Sequence, residues 1–372
     1  MKRILLASTA IVAFAGAAHA DAHATDGVSF GGDAEFGYND EFDDGFFWSV
    51  GGTLTYSATL DNGMTASVSG DIEFGSNDDG TSTFDGNDID IDDLVITLSS
   101  DTASIAFGDT APAADALWSS PVTNLDGDGF ADEGDAGALG LDEDGVLIGR
   151  VSFGDTEVGI SYYVFGTNGA PGTDDFENLQ LGANSTIGSA SVSFGYQEGF
   201  GPIPEIIALG VSASLAGGEF GFAYADTDGG VESIGLQGAF TFGDVTVTVF
   251  YVAQDPVDDN YGIAVDYASG PLTLGFLYHD GNDEDLQINA TYDLGNGLSL
   301  FAGYRDEMEN GAGLDGSEVF YVGGDYDLGG GANLRVSYAD VDMGPGDDLT
   351  LDELGASEDV KEGATIALSF AF

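Results

Sequence analysis

The sequence contains no cysteine among its 372 residues, and after about the first twenty residues it contains no long apolar run. The absence of cysteine excludes a fold held together by disulfides, on which many small secreted proteins depend. A membrane-spanning helix needs about 20 consecutive, mostly apolar residues, so no later segment is long enough to form one. Any membrane crossing after the start of the chain must therefore use β-strands.

Basic residues are also scarce, because 6 Lys and Arg stand against 66 Asp and Glu. This excess of negative charge repels nucleic acid and attracts cations, so we expect no nucleic-acid partner. Acidic chains with few apolar residues are commonly disordered, but 43% of this chain is hydrophobic and 11% is aromatic. We therefore expect an ordered protein. With only 3 histidines and no phosphate-binding glycine loop, the sequence does not indicate an enzyme.

The start of the chain is typical of a secretory signal peptide. Lys2 and Arg3 precede a continuous apolar run, which is followed by small residues. We predict a signal peptide over residues 1–20, with cleavage after Ala20 or, at a second candidate site, after Ala24. No linker or change in composition divides the remainder, so residues 21–372 are expected to form one domain.

From residue 27 onward, apolar and polar residues alternate almost without interruption. In residues 64–74, for example, Val68 and Ile72 alternate with Ser and Asp. This period of two predicts strands with one apolar and one polar face. Short turns rich in Gly, Asn and Asp connect the strands, which requires antiparallel neighbours. We count about twenty strands, an even number as in most bacterial outer-membrane barrels.

Two architectures bury one apolar face per strand: a soluble sandwich or solenoid with that face inward, or a membrane barrel with that face toward lipid. The polar face consists largely of Ser, Thr, Gly and Asn, whereas a soluble β-protein would expose Lys and Glu there. Aromatic residues also collect near strand ends, as in the interfacial girdles of membrane barrels. They are Trp48, Tyr162, Tyr196, Tyr224, Tyr251, Tyr278, Tyr304, Tyr338 and Phe372. We therefore predict an all-β, antiparallel transmembrane barrel.

Several segments, in the order in which they occur, resemble the Rhodobacter-type general porins of alphaproteobacteria. Each motif is weak alone, and their order along the chain carries the resemblance. The segments are VSFGGDAEFGY (28–38), FGDTAPAADAL (107–117), TNLDGDG (123–129), YVGGDYDLGGGANLRVSYAD (321–340) and a final strand that ends at Phe372.

The resemblance implies a homotrimer of 16-stranded barrels whose long third external loop folds into the pore. By position, residues 109–144 correspond to that loop. The resemblance further implies that the barrel-assembly machinery recognises the last strand with its terminal Phe372. This sequence departs from the family in two respects: our strand count exceeds sixteen, and residues 46–57 contain no arginine where the family lines the wall opposite the loop with arginines.

The loop and the inner wall supply the candidate pore constriction. The alternation places Arg150, Arg305 and Arg335 on the polar side of the wall, because a basic residue against lipid costs several kcal/mol. Two interpretations remain open: the arginines face the acidic loop across the pore and create a transverse field, or each pairs with a neighbouring wall carboxylate. The acidic candidates are Asp109, Asp115, Asp126, Asp128, Asp132, Glu133, Asp135, Asp142, Glu143 and Asp144.

Part of this loop also matches the spacing of a calcium-binding loop. Oxygen ligands at alternate positions can surround a hard cation, and Gly129 permits the sharp turn. The flanking segments are predicted strands instead of helices, and the last position is Asp instead of Glu. A structural calcium and a solvated acidic lining with mobile counterions are therefore both kept as interpretations. The candidate ligands are Asn124, Asp126, Asp128, Asp132, Asp135 and the carbonyl of Phe130.

Together these features predict a porin in the outer membrane of a Gram-negative bacterium. We expect it to pass small hydrophilic solutes and ions passively, to prefer cations, to contact outer-membrane lipid and to require no cofactor. One alternative is a substrate-specific channel of the same architecture. Another is a calcium-dependent secreted surface β-protein or adhesin, with the apolar face inward.

Overall fold

The computed structural model describes most of the chain after residue 26 as one continuous antiparallel sheet of 20 strands. In these residues, we find no helix with the length and apolar character that a bilayer crossing demands. The predicted signal peptide lies outside the described residues. The described ranges are 27–42, 45–76, 90–131, 145–163, 177–200, 203–281, 284–309, 316–342 and 360–372.

The strands follow one another along the chain, and one short helix, α1 (Ala113–Leu117), lies between β5 and β6. The first ten are β1 (Gly27–Asn39), β2 (Phe46–Thr59), β3 (Thr65–Ser76), β4 (Asp90–Ser99), β5 (Ala103–Gly108), β6 (Val146–Phe153), β7 (Thr156–Tyr163), β8 (Glu177–Ile187), β9 (Ala190–Gln197) and β10 (Ile206–Leu215). The second ten are β11 (Gly218–Thr227), β12 (Glu232–Phe242), β13 (Val245–Asp255), β14 (Asn260–Ser269), β15 (Leu272–Asp280), β16 (Glu284–Gly295), β17 (Leu298–Glu309), β18 (Glu318–Gly329), β19 (Ala332–Asp342) and β20 (Gly363–Ala371).

The sheet closes into a barrel because the first and last strands pair. Their antiparallel register runs from Asp33 opposite Ala371 to Asn39 opposite Thr365. The chain end is fixed at this seam, since the Phe372 N–H donates to the Gly32 carbonyl at 2.8 Å. The count of about twenty strands is confirmed, and the sixteen implied by the resemblance is not what this chain forms. Each alternating run forms a strand of the barrel wall instead of a ribbon in a loop.

Large apolar side chains cover the outer face of the sheet. Phe222, Leu236 and Tyr251 lie side by side on β11, β12 and β13, with exposed fractions of 39%, 59% and 47%. The opposite face of the same strands carries small residues such as Ala223, which are covered from inside the barrel. An apolar outer face is stable against lipid and not against water. The alternative of a soluble protein with its apolar face inward is therefore not what the structure shows.

Tight turns join the strands at the end of the barrel where β20 ends, as the hydrogen bond from the Ala371 N–H to the Gly331 carbonyl in the β18–β19 turn shows. Asn296 and Gly297 between β16 and β17 have φ angles of 55° and 81°. Positive φ at both central residues is typical of a type I′ turn, which matches the twist of the flanking strands. The long connections, including the one with α1, lie at the other end. The sequence showed no helical periodicity there because α1 has only 5 residues.

Adjacent residues on β13 provide a test of the assigned faces. Val249 lies on the outer face near the middle of the strand and is 46% exposed, while Thr248 points into the barrel. We expect Val249→Lys to destabilise the protein in phospholipid vesicles by about 2–4 kcal/mol, because the charge is placed near the bilayer midplane. Thr248→Lys should cost far less. Equilibrium unfolding in guanidinium measures both, and equal losses would contradict the assigned faces.

Candidate functional site in the pore lumen

The described part of the third loop, residues 109–131, lies inside the barrel. Helix α1 packs against β7, β8 and β9, with Ala113, Ala114 and Leu117 buried. Pro112 precedes the helix in an extended conformation. The predicted inward fold of this loop agrees with the position of these residues, and residues 132–144 lie outside the described part of the chain.

Glycines on successive strands allow the loop to approach the wall closely. A Cβ atom at Gly182 would overlap the carbonyl oxygen of Ala113, and one at Gly221 would overlap that of Pro121. At Gly235 it would lie 2.7 Å from Cγ1 of Val122. Contacts this short are essentially excluded by sterics. We call these residues the glycine track, which comprises Gly159 on β7, Gly182 on β8, Gly195 on β9, Gly210 on β10, Gly221 on β11 and Gly235 on β12.

Uncharged side chains of the wall bind the loop backbone on both sides of the glycine track. Gln180 on β8 accepts from the Ala114 N–H at 3.2 Å and donates to the Ala131 carbonyl at 2.9 Å. Gln197 on β9 accepts from the Ala131 N–H at 2.7 Å. Further bonds join Ser161 to Ala113, Ser193 to Ser119, Gln237 to Thr123, Thr227 to Gly127 and Asn260 to Asn124.

Apolar packing completes the docking of the loop. Val122 and Leu125 are 4% and 8% exposed and pack against the small inner residues of β10 and β11. The ring of Phe130 covers Gly195 and meets Trp118 edge to face, with ring centres 6.4 Å apart. Burying each large apolar side chain stabilises the docked loop by about 1.5–3 kcal/mol. The loop is thus held as a second layer inside the barrel.

Sequence reasoning did not identify the anchoring glutamines. They stand singly at polar positions of their strands, where the alternation predicts only that they face the lumen. Gln180 and Gln197 are fully buried, and buried amide side chains nearly always have hydrogen-bond partners. Such buried amides are the signal that a second layer covers the wall, but burial is not visible in the sequence.

The predicted acidic residues have different surroundings in the structure. Asp126 accepts from Gln254 Nε2 at 2.7 Å on the wall, and Asp128 accepts from Trp118 Nε1 at 3.0 Å within the loop. Asp109 follows β5, and its N–H donates to the Leu94 carbonyl at 3.1 Å. Asp115 lies in the first turn of α1. Outside the described residues are Asp132, Glu133, Asp135, Asp142, Glu143 and Asp144.

The carboxyl group of Asp128 is desolvated by the docking of the loop. Burial raises its pKa above the ordinary value of 3.8, while the hydrogen bond from Trp118 opposes that rise. The nearby charge of Asp126 raises the pKa further. The docked loop therefore holds the neutral form of Asp128 more readily than a solvated loop would.

The described calcium candidates form only part of a ligand set. The side chains of Asp126 and Asp128 each accept a protein hydrogen bond, and the Asn124 carbonyl accepts from Asn260 at 3.2 Å. Nowhere in the described residues do three acidic or imidazole side chains come together as a metal-binding group. Of the other candidates, Phe130 is among the described residues, and Asp132 and Asp135 lie outside them. Calcium binding therefore stays a prediction.

Two of the three predicted arginines form ion pairs with the wall itself. Arg305 lies on β17, with Nε 3.2 Å from Asp285 Oδ2. Arg335 on β19 binds Asp325 in a bidentate manner, with Nε–Oδ1 and Nη2–Oδ2 distances of 2.9 and 3.1 Å. Bidentate pairs of this kind are among the stronger hydrogen-bonded contacts in proteins. For these two residues the structure shows pairing with neighbouring carboxylates.

Arg150 occupies the inner face of β6, where its register partner on β7 is Gly159 of the glycine track. This position places the base of its side chain beside α1, since a Cβ at Gly159 would lie 2.9 Å from Cδ1 of Leu117. Of the three arginines, it is the one that shares a wall region with the docked loop.

Comparisons with known proteins agree with this geometry. A family model described as a Gram-negative porin matches residues 7–307 and 230–357, which is most of the chain. The chain belongs to the Gram-negative porin family. A curated porin of Rhodobacter capsulatus is 26% identical over 338 residues, covering 87% of this chain and 97% of that protein. The resemblance to Rhodobacter-type porins is thereby confirmed.

Two solved structures also align with the chain. The alignment with a multiple mutant of the Rhodopseudomonas blastica porin covers 93% of this chain and 100% of the mutant chain, with a TM-score of 0.46 and 12% identity. The alignment with a loop-deletion mutant of OmpT, an outer membrane protein of Vibrio cholerae, covers 93% of this chain and 99% of the mutant chain, with a TM-score of 0.42 and 14% identity. The family assignment rests on the family model. This porin is accordingly a transmembrane β-barrel of a Gram-negative outer membrane.

The glycine track makes a specific prediction for Gly182. We expect Gly182→Val to displace α1, because the added side chain occupies the place of the Ala113 carbonyl, and overpacking of this kind costs about 1–3 kcal/mol. Limited proteolysis of the loop should accelerate, and single-channel conductance should rise. Gly51→Val is the matched control, since a Cβ there meets only the Ile72 carbonyl, at 3.9 Å. Unchanged proteolysis and conductance in Gly182→Val would contradict the docked position.

The raised pKa of Asp128 predicts a pH dependence of loop docking. The neutral carboxyl group of Asp128 favours the docked loop. This stabilisation of docking is fully present below the pKa of the undocked group, near 3.8, and is lost as the pH rises through the higher pKa of the docked state. We expect Asp128→Asn to flatten this dependence, because asparagine keeps an acceptor for Trp118 without the charge. The fluorescence of Trp118 between about pH 3 and 7, in a Trp48→Phe background, reports docking. A curve identical to that of the parent would contradict this assignment.

Proposed function

We propose that this porin is a passive diffusion channel for small hydrophilic solutes and ions and that it prefers cations. The observation that carries the proposal is the charge of the inner face. Carboxylates occur there on many strands, while Arg305 and Arg335 are bound by wall carboxylates. Further acids on the inner face, placed by strand register, are Asp33, Glu35, Asp71, Glu157, Glu219 and Asp266.

The manner in which the loop is anchored keeps its negative charge in the lumen. Asp126 is bound by the amide of Gln254, whereas docking favours the neutral form of the buried Asp128. An amide donor satisfies the hydrogen bond of Asp126 without neutralising the carboxylate. The docked loop therefore adds to the field of the wall instead of cancelling it.

A strongly negative lining within low-dielectric walls enriches cations and depletes anions inside the channel. Added salt weakens this effect, because the screening length falls from about 30 Å at 0.01 M to about 3 Å at 1 M. Protonation of the carboxylates at low pH weakens it as well. Selectivity then comes from the pore cross-section and the field, and transport follows the solute gradient without any bond being made or broken.

Further parts of the proposal follow from the resemblance to Rhodobacter-type porins. They are assembly as a homotrimer, recognition of the strand that ends at Phe372 by the barrel-assembly machinery, export by a signal peptide cleaved after Ala20, and a structural calcium in the third loop. Phe372 supports the second of these by its exposure and by its packing against Phe30, with ring centres 5.7 Å apart.

Reversal potentials in a planar bilayer test the proposed selectivity. We expect potassium to permeate more readily than chloride under a potassium chloride gradient at low ionic strength, because the lumen is acidic. The preference should shrink as salt rises and as the pH falls toward the pKa range of carboxyl groups, near 4. Equal permeability for the two ions at low ionic strength would refute the proposal.

A further inference from the structure

A group of apolar side chains lies on the inner wall, on strands outside those that carry the glycine track. Phe301 on β17, Val319 and Tyr321 on β18 and Ala339 on β19 belong to one buried cluster. They face inward, because the neighbouring Phe320 on β18 points outward and is 48% exposed. We call these four residues the inner apolar patch.

Glycines let the two aromatic rings of the patch lie flat against the wall. Tyr321 faces Gly303 across the β17–β18 pair, and Phe301 faces Gly323. A Cβ atom at Gly303 would lie 2.2 Å from Tyr321 Cζ, and one at Gly323 would lie 2.4 Å from Phe301 Cζ. Each ring therefore covers the glycine of the adjacent strand instead of projecting across the lumen. The patch forms a low apolar surface on which further chain can pack.

The inner apolar patch is covered, although the face on which it lies lines a lumen. Its four residues are at most 4% exposed. Apolar surface left against water in the channel would be unfavourable, so its burial stabilises a segment that covers it. The third loop covers the small inner residues of β10 and β11 in the same manner. The wall at β17–β19 thus carries a second layer of its own.

Val360 belongs to this second layer. It lies in the described end of the connection between β19 and β20, is 1% exposed and shares the buried cluster of the patch. The two residues that follow also contact the wall. The Lys361 ammonium lies 5.2 Å from the ring centre of Phe47 on β2, and the Glu362 carbonyl accepts from Asn39 Nδ2 at 2.7 Å. Three consecutive residues are therefore seated along the wall before the chain enters β20.

We propose that residues 360–362 are a second inward-docked segment of the pore lining, with Val360 as the positioning residue that holds this segment on the inner apolar patch. The third loop docks on the wall from β7 to β14, whereas this segment docks on β17–β19, β1 and β2. The conducting path then runs between two docked segments, and its cross-section depends on both. The inference deepens the proposed channel function and rests on it.

Labelling of a single cysteine tests whether Val360 covers the patch, because the chain contains no native cysteine. The probe is a cationic methanethiosulfonate reagent, added to detergent-purified, full-length Ala339→Cys protein. A thiol at this buried position reacts only when the covering segment opens. Val360→Asn places an amide in the apolar cluster and should accelerate the reaction about tenfold or more, because a buried apolar anchor is lost.

Two further variants are controls for the labelling. Val360→Ile keeps a branched apolar side chain, so the reaction should stay as slow as in the Ala339→Cys parent. Ser67→Asn introduces an amide on the inner face of β3, away from the patch, and should also leave the rate unchanged. Discrete single-channel steps show that each variant is folded. Equal rates in Val360→Asn and Val360→Ile would overturn the role of Val360.

Current recordings in a planar bilayer test whether the segment lines the conducting path. In Lys361→Cys, the same reagent attaches a bulky cation at the second residue of the segment. We expect each modification to lower the single-channel conductance in a discrete step, because added bulk and positive charge both oppose cation flow. Val249→Cys, on the lipid-facing side of β13, is the control and should show no change. A position 361 thiol that the reagent does not modify, or modification seen by mass spectrometry without a fall in conductance, would overturn the inference.

The recordings on Lys361→Cys and the reversal potential of the unmodified protein fail independently. A cation-selective pore whose conductance is unaffected by modification at position 361 would refute only the docked segment. A stepwise fall in conductance, in a pore that passes potassium and chloride equally, would refute the proposed selectivity and leave the docked segment standing.

Discussion

The pore depends on close contact between the backbone of the third loop and the glycine track on the inner wall. Six neighbouring strands each present a residue without a side chain, so the loop can lie flat against them. Any side chain at Gly182 or Gly221 would occupy space that loop carbonyls now fill. The amides of Gln180 and Gln197 can reach the loop only because this approach is so close. The position of the acidic residues in the lumen follows from the same contact.

The strands were predictable because their physical signal is local. Adjacent residues such as Thr248 and Val249 face the lumen and the lipid in turn, and this alternation repeats along each strand. The lipid-facing apolar surface follows from this period. The short turns were predictable from their Gly, Asn and Asp residues. The strand number followed from counting the runs, and it was more accurate than the number implied by the resemblance.

The candidate site was predictable only in part, because loops have no such period. The spacing of Asn124, Asp126 and Asp128 suggested shared ligation, whereas in the structure each has a separate hydrogen-bond partner. Those partners include Gln254 and Asn260, which are more than one hundred residues away along the chain. The same limit applies to Arg335, whose bidentate partner Asp325 is defined by strand pairing across a hairpin. Contacts of this kind depend on the tertiary fold.

The central claim is that the third loop is docked on the glycine-track wall in the membrane-inserted protein. Because the chain has no cysteine, cross-linking tests it directly. Thr123 Oγ1 and Gln237 Oε1 are 2.8 Å apart, so Thr123→Cys with Gln237→Cys should be joined by a short bifunctional thiol reagent. Thr123→Cys with Asn333→Cys, on β19 across the lumen, should not be joined. Equal yields for the two pairs, or no product from the first, would contradict the account.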